Sequence, residues 1–415
     1  MRTIIKNIGL LATAKGTAAL RGEAQGALQM TMDTYVVIEN GIIVEVGANA
    51  STKDLFAATG ENVVDAQGLL VTPGLVDAHT HLIFAGWRQH EFALKLQGMS
   101  YLDILAAGGG IISSVNNTRK ASVADLVTQG KTALSTMLEY GTTTCEVKSG
   151  YGLTVADEIK SLRAIRELAT LQPVDLVPTF MGAHAVPPEF KERSDDYVRL
   201  VCQEMIPAVA REKLAEFCDV FCEQGVFSVE QAAKILECGL RYGLMPKVHA
   251  DEITSLGGAE LAGRVKAISA EHLIHADDAG LTALAEAGVI AVLLPGTSFY
   301  LGESFARARD MMDKGIPVAI ASDFNPGSCP NESLQIPMNI ACLKYRMTPE
   351  EVITAVTLNG AAAINRAHFC GSIEPGKQGD LIIWNAKDLP FLFYHWGPNQ
   401  VRTVIKNGHL VLNKC

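Results

Sequence analysis

The chain has 415 residues, 48% hydrophobic and 19% charged, and its 35 Lys and Arg against 45 Asp and Glu give a net charge of −10. That apolar content can bury a sizeable core and excludes a disordered chain; the acidic balance, with no basic stripe, excludes a phosphate-backbone partner. No apolar stretch reaches the ~18–20 residues of a membrane span, and nine cysteines spread thinly suit reduced thiols in a cytoplasm.

In chain order, the opening run from Met1 to Gly16 is broken by Lys6 and Asn7 and reads as a strand rather than a signal peptide. Tyr35 to Gly47 reads as a hairpin, two β-rich runs around Glu39-Asn40-Gly41. Asp380–Trp384 and Val401–Val411, the latter carrying Lys406-Asn407-Gly408, repeat that character at the other end. The two ends, residues 1–70 and 366–415, are therefore expected to pair into one small composite β-sandwich domain.

Between them, residues 71–365 alternate apolar β runs with helical stretches. Eight strands are expected to begin near Val71, Thr142, Val174, Cys218, Met245, Ala267, Val289 and Ile316. Such alternation reads as an α/β fold, a (β/α)8 TIM barrel. The alternative, a doubly wound open sheet, lacks a Gly-x-Gly-x-x-Gly after its first strand. The long gap 83–141 carries Gly108-Gly109-Gly110 and is expected to hold a loop over the barrel mouth. Cys218 and Cys222 have metal-pair spacing, but no partner pair follows, so they read as an ordinary strand pair.

Functional groups of a barrel lie at the C-terminal ends of its strands. Those ends carry Asp77-Ala78-His79-Thr80-His81, Glu146 to Tyr151, His184, Glu223, His249-Ala250-Asp251-Glu252, Glu271-His272 and Ser322-Asp323-Phe324-Asn325. His79 and His81 are two apart, so both imidazoles point to the same side of a strand. With His249 and Asp323 they make an N3O set that accepts zinc or iron and leaves room for water. Two imidazoles inside an apolar strand need partners, and a metal provides them.

Val71 to His81 resembles the first-strand signature of the amidohydrolase superfamily, and His249, His272 and Asp323 match its late-strand positions. Gly371–Leu381 resembles its return into the β-domain. More specific segments resemble the imidazolonepropionase family: Leu96–Tyr101, Glu146–Gly152, Phe180–Pro188, His249–Glu252 with Gly257–Glu260, Leu294–Thr297 and Asp323–Ser328. The resemblance covers nearly the whole chain. It implies hydrolysis of 4-imidazolone-5-propanoate to N-formimidoyl-L-glutamate by a cytoplasmic homodimer with one zinc or iron ion per subunit. Its ligands would be His79, His81, His249 and Asp323.

By the same resemblance Asp323 handles the proton of the attacking water, His272 stabilises the oxyanion, and Glu252 and His184 complete the catalytic set. Arg88, Tyr151, His184, Glu252, Asn325, Gly327 and Ser328 match substrate-contacting positions. Arg88 would take the propanoate, since a guanidinium binds a carboxylate with two parallel hydrogen bonds. Glu223, near the end of strand 4, is where two-metal members of the superfamily place a bridging Lys or Glu; a single metal leaves it a supporting role. Another cyclic amide, hydantoin-like, or an aminated heterocycle is the alternative substrate, and a metal-free scaffold on this fold is a third reading.

Overall fold

A computed structural model describes residues 1–48, 62–99 and 109–414. The N-terminal part gives β1 (Arg2–Thr13), β2 (Gln29–Glu39), β3 (Ile42–Ala48), β4 (Asn62–Asp65) and β5 (Leu70–Pro73). The middle gives β6 (Leu75–Asp77), β7 (Thr142–Lys148), β8 (Asp175–Ala183), β9 (Phe217–Cys222) and β10 (Met245–Ala250). It continues with β11 (Ser269–His272), β12 (Ile290–Leu293) and β13 (Val318–Ile320), and the C-terminal part ends in β14 (Leu381–Trp384), β15 (Val401–Lys406) and β16 (His409–Asn413).

Strands β6 to β13 form one parallel sheet in sequence order. It curls nearly shut through a bridge between Thr80 and Phe324. The backbone amide of Asp323 donates to His79 O (3.1 Å) and that of His81 to Phe324 O (2.9 Å). Asp77 Oδ1 accepts from the Ser322 amide at 3.0 Å. The seam of the barrel is thus stitched by the backbones of three predicted metal ligands. Helices begin at Ser122, Thr154, Ser228 and Asp277, whose side chains each accept the backbone N–H three residues on, the capping chemistry that starts a helix between two strands.

The remaining strands make a second, mixed sheet ordered β16-β15-β14-β5-β1-β2-β3, with β4 beside β1. Both Asn-Gly hairpins stand where the sequence places them: β2 with β3 and β15 with β16. One expected strand divides. The run from Val71 does not enter the barrel whole: Leu70–Pro73 pairs with β14 and β1 in the terminal sheet, and only Leu75–Asp77 pairs with β7. Gly74 makes the change of sheet, since a Cβ there would stand 2.2 Å from Thr143 Oγ1. The other seven strands begin within a few residues of their expected starts.

The long first gap holds helices Gln89–Leu96, Ile111–Lys120 and Val123–Glu139. Residues 100–108, Gly108 among them, lie outside the described residues, and with them part of the expected loop over the mouth. Cys218 and Cys222 are buried free thiols on β9.

Candidate metal centre

His79 and His81 follow β6, His249 lies on β10, and Asp323 follows β13. All four are buried. His81 Nε2 lies 3.3 Å from His249 Nε2, His79 Nε2 3.5 Å from Asp323 Oδ1, and His81 Nε2 3.7 Å from the same oxygen. Ligand atoms at ~2.1 Å around a tetrahedral ion lie about 3.4 Å from one another; these three spacings match that, and His79, His81 and Asp323 form one compact group with His249 beside His81.

The chemistry of the donors agrees. His79 Nδ1 is held by Glu271 Oε2 at 2.5 Å, and its Nε2 is buried with no hydrogen-bond partner. His249 Nδ1 lies 3.0 Å from Asp219 Oδ2. The carboxylate bonded to His79 Nδ1 fixes the tautomer that turns its Nε2 lone pair outward, and Asp219 stands in the corresponding place behind His249. Burial pushes the His79 and His81 imidazoles well below their ordinary range, so both are kept neutral, the form that ligates. Asp323 Oδ2 accepts from Thr297 Oγ1 at 2.6 Å, and burial raises its carboxyl to about 6. Two other groupings share His79: one with His249 and His272, the other with Glu146 and Glu271.

Around this cluster stand most of the other residues singled out in the sequence. His184 stacks on His81 with ring centroids 4.7 Å apart, and Tyr151 lies 5.3 Å from His184. His184 Nδ1 lies 3.1 Å from the carbonyl of Gly150, to which it donates, and burial drops its imidazole to about 3. His272 packs 5.1 Å from His249, with its Nε2 3.6 Å from Glu252 Oε2. Burial raises Glu252 to about 8, helped by the charges of Asp323, Glu223 and Glu303. Asp251, His272 and Asp323, all at strand ends, have positive φ of 50°, 67° and 52°, backbone strain of the kind that collects at functional sites.

Arg88 sits in the loop after His81, its side chain 8% exposed, with Nε and Nη2 on the carboxylate of Glu91. Its Nη1 lies over Gly327: a Cβ there would come within 2.1 Å of it. Asn325 accepts from the amides of Gly327 and Ser328 and donates to Ser328 Oγ at 2.8 Å. It therefore shapes the turn that faces Arg88. Glu223 accepts from the amides of Gln224, Ile253 and Thr254 and from the Thr254 hydroxyl. Among the described residues it joins no metal-binding group.

Sequence reasoning placed Lys148 and Glu271 at strand ends but gave no role to the groups behind the candidate ligands. Asp219, Glu271, Lys148, Lys247 and Thr297 are buried here, and Glu91 holds Arg88. Their signal was present in part: Asp219 interrupts the apolar run Phe217–Cys222, and Lys247 sits in a strand that is otherwise apolar up to His249.

The chain matches the amidohydrolase family over residues 70–411. It is 50% identical over 413 residues to an imidazolonepropionase of Alkaliphilus metalliredigens, covering 99% of this chain and 98% of that one. The chain belongs to the imidazolonepropionase family of amidohydrolases. An imidazolonepropionase of Geobacillus thermodenitrificans is likewise 50% identical, over 99% of this chain and 98% of its own length. Among solved structures, E. coli guanine deaminase superposes with a TM-score of 0.76 over the full length of both chains at 16% identity, which shows the fold. Membership of the family makes the protein a hydrolase, and with the buried His/Asp cluster it points to a metal ion.

Proposed function

We propose that this hydrolase opens the ring of 4-imidazolone-5-propanoate by hydrolysing its cyclic amide, giving N-formimidoyl-L-glutamate, in histidine degradation. The observation that carries the reading is the pairing of an N3O cluster with an arginine: a cation site at the barrel mouth, and Arg88 in the next loop to take a carboxylate. The relatives bearing the name imidazolonepropionase support the substrate. The residues fit one zinc or iron ion held by His79, His81, His249 and Asp323, and such an ion supplies Lewis acidity and an acidified water.

The side chains then divide the work. Arg88, oriented by Glu91, binds the propanoate with the edge that lies over Gly327. His184 donates from Nδ1 to Gly150 and so offers its Nε2 lone pair to a ring N–H, with Tyr151 beside it. Water adds to the ring carbonyl and its proton passes to Asp323, whose second oxygen Thr297 holds in place. His272 donates to the developing oxyanion. The C–N bond breaks as the ring nitrogen takes a proton, and Glu252, kept protonated by burial, stands beside His272 to provide it. Glu223, engaged with backbone amides, keeps the loop of Glu252 in shape. A cytoplasmic homodimer belongs to the same reading, and the free thiols of the described cysteines suit that compartment.

The test is turnover of fresh 4-imidazolone-5-propanoate, followed by loss of ring absorbance, with protein stripped and reloaded with zinc or iron. Metal-dependent turnover is expected, reduced at least 1,000-fold in Asp323→Ala, on the order of what losing a group central to such chemistry costs. A metal-loaded protein that leaves this substrate intact would overturn the reading and point to hydantoin-like rings or aminated heterocycles.

A further inference from the structure

Below the ligand atoms the barrel interior is filled by charge, where such interiors are ordinarily packed with branched aliphatic side chains. Glu146 and Lys148 on β7, Asp219 on β9, Lys247 on β10 and Glu271 on β11 are each fully buried. They form one unbroken chain between two imidazoles. From His79 Nδ1 it runs 2.5 Å to Glu271, whose other oxygen lies 3.5 Å from Lys247 Nζ. Lys247 Nζ donates to Glu146 Oε1 at 2.9 Å, and Lys148 Nζ lies 2.8 Å from Glu146 Oε2. Lys148 Nζ then donates to Asp219 Oδ2 at 2.8 Å, which lies 3.0 Å from His249 Nδ1. Charges alternate along the whole path, and three carboxylates against two ammonium groups leave one formal negative charge beneath the cation site.

We propose that Glu146 is a positioning residue for the metal: touching no ligand atom, it sets through the two lysines how strongly His79 and His249 hold a divalent cation. The physical reason is a division of charge. Each ligand imidazole owes its orientation and donor strength to the carboxylate behind it. Each of those carboxylates is held by a lysine, and among the described residues Glu146 is the one carboxylate that forms a close ion pair with both lysines. With Glu146 neutral, Lys148 and Lys247 turn their full charge on Asp219 and Glu271, which become weaker acceptors for the imidazole N–H groups. The negative charge beneath the cation is lost as well. Both changes weaken binding, and both act on two of the four ligands together. Thr179 Oγ1 donates to Glu146 Oε1 at 2.5 Å, which aims the carboxylate between the two ammonium groups.

The inference rests on the assignment of His79, His81, His249 and Asp323 as the metal set, and the test separates the two. Zinc affinity of the full-length protein is measured by competition with a chromogenic chelator, beside the visible ligand-field spectrum of the cobalt-loaded protein and the melting temperature of the metal-free protein. Glu146→Gln is expected to bind zinc ~10–100-fold more weakly, as removal of supporting groups does at other metal sites, and to shift the cobalt bands. Thr179→Val, which keeps the charge and the volume, is expected to fold normally and fall between wild type and Glu146→Gln in both readouts. Unchanged zinc affinity and an unchanged cobalt spectrum in Thr179→Val and in folded Glu146→Gln, whatever the melting temperature does, would overturn the proposal and leave the chain a structural core. A wild-type protein that binds no zinc would instead overturn the metal set itself.

Discussion

At residue 327 the absence of a side chain is what places a charge. The sequence suggests that Gly327 lets backbone approach a ligand; the structure shows it making room for the guanidinium of Arg88, whose Nη1 would stand 2.1 Å from a Cβ there. Gly327 is not among the glycines with positive φ, so alanine is excluded by space and not by dihedral strain. Gly327→Ala must push Arg88 off Glu91 or distort the turn that Asn325 braces. The expected result is a KM for 4-imidazolone-5-propanoate raised at least ~10-fold, the loss of one charge-assisted contact, with metal content unchanged. Arg88→Lys should do the same, because a single ammonium cannot hold Glu91 and a substrate carboxylate in the planar fork that a guanidinium provides. Steady-state kinetics with metal analysis checks both, and an unchanged KM would remove Arg88 from the substrate site. The cluster of His79, His81, His249 and Asp323 was legible because four polar groups stood at strand ends. The partner of Gly327 was not, since a vacancy for a distant side chain leaves no local pattern.

Among the elements, the segment after β10 shows how a loop is made rigid enough to carry chemistry. Asp251 accepts from the amides of Leu256, Gly257, Gly258 and Ala259, at 2.9–3.0 Å, and so caps the helix Gly258–Arg264. From the other side Glu223 accepts from the amides of Ile253 (2.8 Å) and Thr254 (3.3 Å). Glu252 is held between these two clamps. Glu223→Gln keeps the shape but replaces one acceptor oxygen with a donor and removes a charge. The expected outcome is a kcat lowered about 10-fold, the cost of a misplaced proton donor, with one metal per subunit before and after. If Glu223 bridged a second ion, metal content would instead fall from two to one. The pH profile gives an independent check. A carboxyl held up at about 8 is protonated below that pH and loses its proton as pH rises through it. Glu223 is one of the carboxylates raising it, so in Glu223→Gln the alkaline limb of kcat should move to lower pH. The eight strands themselves were legible from apolar runs spaced by one helix each. The split at Gly74 was read over, although Pro73-Gly74 interrupts the run from Leu70 to Val76 and such a pair is a break signal; which sheet each half joins is decided only by its packing partners.

Over the whole molecule, the two sheets share a core, and the path from one to the other leads directly to the His/Asp cluster. Leu10, Leu70, Ile382, Trp384, Val401 and Val404 of the terminal sheet belong to the same apolar cluster as Leu134, Met137, Cys145 and Leu168 beside the barrel. Lys406 on β15 pairs at 2.6 Å with Asp380 and with Asp175, the first residue of β8. Trp384 is fully buried and its Nε1 donates to Thr72 Oγ1 on β5 at 2.8 Å. Since β5 continues through Gly74 into β6 and then to His79 and His81, the terminal sheet holds the near end of the strand that presents two ligands. That both ends of the chain pair was legible from their matching Asn-Gly hairpins. That they pair around β5 was not, because register between segments some 300 residues apart is set by burial and not by local pattern. The consequence is cooperativity: sheet and barrel should unfold together. Trp384→Ala removes a buried indole and is expected to cost roughly 3–5 kcal/mol. Loss of helix signal and release of metal should shift to lower denaturant by the same amount, while the folded variant keeps its metal and its kcat. If Trp384→Ala instead showed two transitions, with metal held through the first, the terminal sheet would be an appendage and the shared core would contribute nothing to the strand that carries His79 and His81.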